Sequence, residues 1–190
     1  MQQAIFIAAA LLAFSMSALA EWSVQPGSTV GYVSVKNNAI AENNRFSTVT
    51  GGIDGEGQIR INVDLGSVQT GVPIRNERMR DKFFEIASWP EAVITAQLEP
   101  ADIAHLDAGV MVERELALSV SLHGSQTVVN ATLRAMPAEA GVRVSTVEPV
   151  ILNADDFGLG GGVAMLQELA GLQGISRAIP VTVDLMLTSD

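Results

Sequence analysis

The chain has 190 residues, 21 acidic against 11 basic, two histidines and no cysteine, for a formal net charge of −10. Without thiols it carries neither disulfides nor the thiolate chemistry of redox and soft-metal sites. So acidic a chain repels nucleic acid and anionic lipid headgroups, which excludes both as partners unless a local basic patch overrides the total.

Residues 1–20 read MQQAIFIAAALLAFSMSALA, an apolar run over 4–14 and then small residues ending in Ala18-Leu19-Ala20. That pattern is a secretory leader cut after Ala20, although no Lys or Arg precedes the run. The run is too short to cross a bilayer, and no later segment is long enough either, so no integral membrane protein is expected. Residues 21–190 then form one exported domain with a sizeable core.

Period-two alternation dominates that domain, the mark of strands with one buried face. In chain order the runs are 29–36, 45–50, 58–65, 92–99, 112–122, 126–136, 141–151 and 179–187. The clearest is QIRINVDL, with Ile59, Ile61, Val63 and Leu65 on one face and Gln58, Arg60, Asn62 and Asp64 on the other. VERELALSVSL aligns Val112, Leu116, Leu118, Val120 and Leu122. The last run aligns Ile179, Val181, Val183, Leu185 and Leu187. Gly51-Gly52-Ile53-Asp54-Gly55, His123-Gly124-Ser125 and Pro137 to Gly141 supply the turns. The fold class is all-β, with eight antiparallel strands in a sandwich or a barrel.

Two segments depart from alternation. Residues 74–86 place Met79, Phe83 and Ile86 on one helical face. Residues 163–174 do the same with Met165, Leu169 and Leu172, and Gly174 suits the end of that helix.

No chemical motif is complete. The two histidines, His105 and His123, lack partners at metal-ligand spacing. His123 reads as a hairpin-turn residue bonding local backbone. Asp156-Phe157-Gly158 stands without the other kinase motifs, and Gly158 to Gly162 without the βαβ context of a dinucleotide site. The stretch ILNADDFGLGGGV reads as a hinge, with Asp155 and Asp156 as turn acids and the glycines turning the chain into the second helix. Arg75, Arg78, Arg80 and Lys82 cluster on the first helix, interleaved with Glu77, Asp81 and Glu85. Two readings stay open there: a solvated, internally paired helix, or a mouth that meets the polar head of a ligand.

Several blocks together resemble the YceI-like polyisoprenoid-binding family. They are Val68-Gln69-Thr70-Gly71, Arg75-Asn76-Glu77-Arg78-Met79-Arg80, Phe83-Phe84, Trp89-Pro90, Leu118 to Gly124 and Asn153 to Leu159. The resemblance covers nearly all of the exported domain. It departs at Tyr32 to Asn37, where many members carry His beside Phe, and at Asn76 and Arg78, where an acid and a His are common. The LAGLQGIS segment marks a sub-branch.

What the resemblance implies is a periplasmic, lipocalin-like, extended eight-stranded antiparallel barrel with two short helices. Its apolar tunnel would hold a polyisoprenoid lipid or an isoprenoid quinone, with no further cofactor and no metal. The strand rows above, from Ile59 to Leu65, Leu116 to Leu122 and Ile179 to Leu185, would line it together with Phe83, Phe84 and Phe157. Arg75 and Arg80 would sit near the ligand head. Storage or transport without catalysis follows, and a homodimer stays open. Two other functions stay open as well. One is a secreted interaction module with a filled barrel. The other is an enzyme on the same scaffold built on Asp64, His123 and Asp184, although alternation turns both aspartates outward.

Overall fold

The structure, a computed structural model, describes residues 20–189. The leader assigned to residues 1–20 lies outside the described residues save for Ala20, where the first strand begins.

Twelve strand segments form one antiparallel sheet that closes on itself. They are β1 (Ala20–Val24), β2 (Thr29–Lys36), β3 (Ile40–Phe46), β4 (Val49–Asp54), β5 (Gln58–Asp64), β6 (Val68–Gln69), β7 (Glu91–Gln97), β8 (Val112–Leu122), β9 (Ser125–Ala138), β10 (Gly141–Thr146), β11 (Val150–Asn153) and β12 (Ala178–Ser189). The closed ring runs β1, β4, β5, β7, β8, β9, β10, β12 and back to β1. This is an eight-stranded antiparallel barrel of lipocalin type.

The other segments lengthen the same eight lanes. β12 pairs with β1 over Leu187–Ser189 and with β2 over Val181–Asp184. On its other edge it pairs with β10 and then β11. Between β1 and β2 the chain bulges: Gln25 donates its backbone N–H to Met186 O at 2.7 Å, and Met186 returns one to Ser28 Oγ at 3.0 Å. Between β3 and β4 the N–H groups of Ser47 and Thr48 both donate to Ser67 Oγ at 3.1 Å. Such breaks bend a strand without ending its lane, which stretches the barrel beyond its closed ring. The expected run 45–50 is corrected accordingly. It spans the break, and Gly51–Asp54 belongs to β4 rather than to a turn.

Three short helices accompany the barrel, one more than expected. α1 (Pro73–Arg78) starts with proline, whose fixed φ suits the first helical position. It continues as a π-helical turn over Met79–Phe83, closed by Phe84 N–H on Met79 O at 2.8 Å. α2 (Pro100–Asp107) joins β7 to β8 and packs Leu106 into the barrel core. It too opens on proline, and Gly109 follows it with positive φ (65°). α3 (Gly160–Leu169) includes the whole glycine run. The expected hinge is therefore corrected: Gly160, Gly161 and Gly162 are the first turn of the helix. The change of direction comes before them, in the 3₁₀ turn Ala154–Phe157, which ends at Gly158 with φ 69°.

The core is split. A large cluster, with Trp22, Phe46, Val63, Leu65, Val68 and Phe84, fills much of the barrel. A smaller one, with Val120, Phe157, Leu159 and Val163, joins α3 to the wall.

Candidate ligand-binding cavity

A cavity of about 580 Å³ lies between these clusters, walled almost wholly by apolar side chains. That is within the ~300–1,000 Å³ usual for small-molecule sites, so the barrel is not filled. The rows expected on β5 and β12, Leu118, Val120 and Leu122 on β8, and Phe83, Phe84 and Phe157 all line it. Leu116 does not. It shares the face of Leu118 but lies further along β8, where the large core cluster of Val112, Ala135 and Leu106 fills the barrel. The wall also includes residues that alternation did not single out. Among them are Leu159 just before α3, Val163 and Leu166 on it, Leu172 just after it, and Val129 on β9.

One end of the cavity is polar. The inward row of β2 is Val30, Tyr32, Ser34 and Lys36, and it faces Asn44 and Phe46 on β3 and Thr70 and Arg75 beyond β6. Glu42 holds the charges together. Its Oε2 accepts from Arg75 NH1 at 2.5 Å and pairs with Lys36 Nζ at 2.7 Å. The Lys36 hydrogen bond, with help from Arg75 and against partial burial, keeps the Glu42 carboxyl below its ordinary value. Arg75 NH2 also donates to Thr70 O at 2.5 Å, while Thr70 is fixed by Asn76 Oδ1 through its N–H (2.9 Å) and hydroxyl (2.7 Å).

Some hydrogen-bonding capacity stays open here. Asn44 Nδ2 donates to Ser34 Oγ and Glu42 O, both at 3.1 Å, which fixes the amide's orientation. Its Oδ1 has no partner, and neither has Arg75 Nε. Burial pushes the Tyr32 hydroxyl far above the ordinary tyrosine range, with Arg75 opposing, so it stays protonated.

The structure separates the two arginines expected near the ligand head. Arg75 and Arg78 line the cavity; Arg80 does not. Two residues past Arg78 is roughly half a turn further round, on the π-helical segment, which carries Arg80 off the cavity face. Nor is α1 internally paired: among the described residues Arg75 alone of the cluster makes an ion pair, and it pairs with Glu42.

The enzyme candidates do not converge. Asp64 is exposed and caps the turn after β5 through Gly66 N–H at 2.8 Å. Asp184 faces outward in a two-pronged pair with Arg143, at 2.6 and 2.5 Å. His123 lies in the β8–β9 turn at φ 51°, followed by Gly124 at φ 76°. Its ring meets the Glu85 carboxylate at 2.9 Å rather than local backbone, and Trp89 packs beside it at 5.8 Å. Asp155 pairs with Arg177 at 2.7 Å, and Asn153 caps the turn through Asp155 N–H at 3.1 Å. Among the described residues no three metal-ligating side chains cluster, and no helix is long and apolar enough to cross a membrane.

A closed antiparallel barrel around an apolar cavity defines a lipocalin-like binding protein. The YceI-like domain model matches residues 22–187, and the chain belongs to that family. Among solved structures it is similar to a polyisoprenoid binding domain from Saccharophagus degradans. The two are 30% identical with a TM-score of 0.85, over 90% of this chain and all of that one. Burkholderia cenocepacia BcnA shares the fold at 15% identity and a TM-score of 0.58, over 85% of this chain and 96% of that one. The Campylobacter jejuni YCEI protein shares it at 13% identity and 0.55, over 77% and 84%. No curated protein matches the chain.

Proposed function

We propose that this protein is a non-enzymatic carrier or store for a polyisoprenoid lipid, with an isoprenoid quinone as the favoured ligand, and that it works in the periplasm after loss of its leader. One observation carries the reading: a barrel that could have been packed solid instead keeps about 580 Å³ of apolar space. An apolar tail gains ~0.8 kcal/mol for each CH₂ moved from water into such a space. The similar Saccharophagus domain, described as polyisoprenoid binding, supports the same ligand class.

The polar end suits an oxygen-bearing head. Glu42 shares its one carboxylate between Lys36 and Arg75, which leaves the group net positive, and the open positions are the Arg75 Nε donor and the Asn44 Oδ1 acceptor. The outward Asp64 and Asp184 support a role without catalysis.

The test is mass spectrometry of an organic extract of the protein, purified without detergent from the periplasmic fraction. A prenyl lipid near one per chain is expected. A clean extract, with no uptake of prenyl quinones offered in solution, would overturn the reading, and recovery of the protein in the cytoplasm would overturn its location. Arg75→Ala should lower retention of the ligand, whereas Arg80→Ala should leave it unchanged.

A further inference from the structure

Four large apolar side chains stand exposed around one end of the cavity. Ile40 (51% exposed) is on the β2–β3 hairpin, Val72 (41%) and Ile74 (53%) are at the start of α1, and Leu169 (43%) ends α3. These elements are tied together. Arg78 NH1 donates to Leu169 O at 3.4 Å. Asn37, in the hairpin, donates its N–H to Gly174 O at 2.8 Å, and its Oδ1 accepts from Gln173 N–H at 2.8 Å. Val72 and Ile74 also line the cavity, as does exposed Ala170. Residues that are both lining and exposed mark an opening, so apolar side chains run from the rim into the tunnel wall alongside the polar groups Lys36, Thr70 and Arg75. Single exposed apolar residues are ordinary on a protein surface; a set of them around a cavity mouth is not.

Charge around the rim departs from the rest of the chain. Five of the 11 basic residues make no ion pair among the described residues, and three of those five, Arg78, Arg80 and Lys82, sit on α1 and its π-helical extension. An apolar rim backed by cations that make no ion pair, although Glu77 and Asp81 lie between them in sequence, matches the two layers of a phospholipid surface, acyl chains beneath phosphates.

We propose that this end of the barrel docks on a phospholipid bilayer, with Ile40, Val72, Ile74 and Leu169 set into the boundary between headgroups and acyl chains. The tunnel then opens directly into the layer where a prenyl tail resides, and the ligand crosses no water. A soluble protein as partner is the competing occupant. The inference rests on the carrier reading for its purpose, but its test does not.

The protein as purified, its mass recorded to establish whether residues 1–20 are present, is sedimented with vesicles of phosphatidylcholine and phosphatidylglycerol that contain no isoprenoid. The wild type should partition onto them. Ile40→Asp with Leu169→Asp, at positions that do not line the cavity, should lose about tenfold or more in partitioning while retaining ligand. Val128→Asp with Ile151→Asp puts the same charges on exposed apolar positions (65% and 57%) of β9 and β11, and should partition like the wild type. A wild type that stays in the supernatant, or equal losses in both variants, would overturn the proposal. An empty organic extract with docking intact would remove the carrier reading alone; a loaded extract without docking would remove this one alone.

Discussion

Tyr32 is the one tyrosine in the chain, so phenolate absorbance reports on a single group in the wall of the cavity. Burial holds its hydroxyl in the protonated form. In an alkaline titration the phenolate signal should therefore appear only with loss of the fold, followed in parallel by circular dichroism. An ordinary tyrosine titration in the folded protein would contradict the buried polar end. Glu42 has the opposite sign. Its folded pKa lies below the ordinary 4.5, through Lys36 first and Arg75 as well. It contributes stability that is present above that value and is lost as pH falls through the folded one. Urea unfolding measured across the acid range should show this loss, and Glu42→Gln should flatten it.

At the scale of elements, the contact between α3 and the π-helical turn sets one wall of the cavity. A Cβ on Gly162 would meet Phe83 Cδ2 at 2.8 Å, whereas one on Gly161 would meet nothing within 4 Å. Gly162→Ala should thus destabilise the fold by roughly 1–3 kcal/mol through overpacking. Gly161→Ala should be neutral or stabilising by up to about 1 kcal/mol, because alanine is the better helix former. Equal effects in thermal unfolding would show that α3 is not pressed on Phe83.

The same elements show what the sequence could reveal. Strand β5 was legible because its apolar residues all face one way, onto the cavity. Strand β2 was not. Its apolar Val33 and Val35 point away from the cavity, and its polar Tyr32, Ser34 and Lys36 point in. Alternation marks a strand but assumes that the inside is apolar, and here the inside is the polar end of a binding site. The lane breaks at Gln25–Ser28 and Ser47–Thr48 escaped notice because bulges are set by hydrogen bonds to distant Met186 and Ser67. Helix α2 is only eight residues long, too short for a convincing period, although its flanking Pro100 and Gly109 were a usable sign. Leu116 and Leu118 look equivalent in sequence. Only the position of the packed core along β8 separates them.

At the scale of the whole molecule, the cavity makes stability and function one quantity. The wall groups around the empty space lack packing partners on one side, so a filled barrel should be held more firmly than an empty one. A ligand that binds only the folded state adds RT ln(1 + [L]/Kd), about 2.7 kcal/mol when free ligand is 100-fold above Kd. For a domain of this size that corresponds to a rise of roughly 5–10 °C in Tm. Protein stripped of lipid should therefore melt lower than protein as purified, and added prenyl quinone should restore the difference in a concentration-dependent way. Leu118→Trp is the control, since it fills cavity space from the wall itself. It should keep or raise the Tm of the stripped protein while reducing the shift with ligand. If stripped and loaded protein melted together, the cavity would not be the place where the ligand is held.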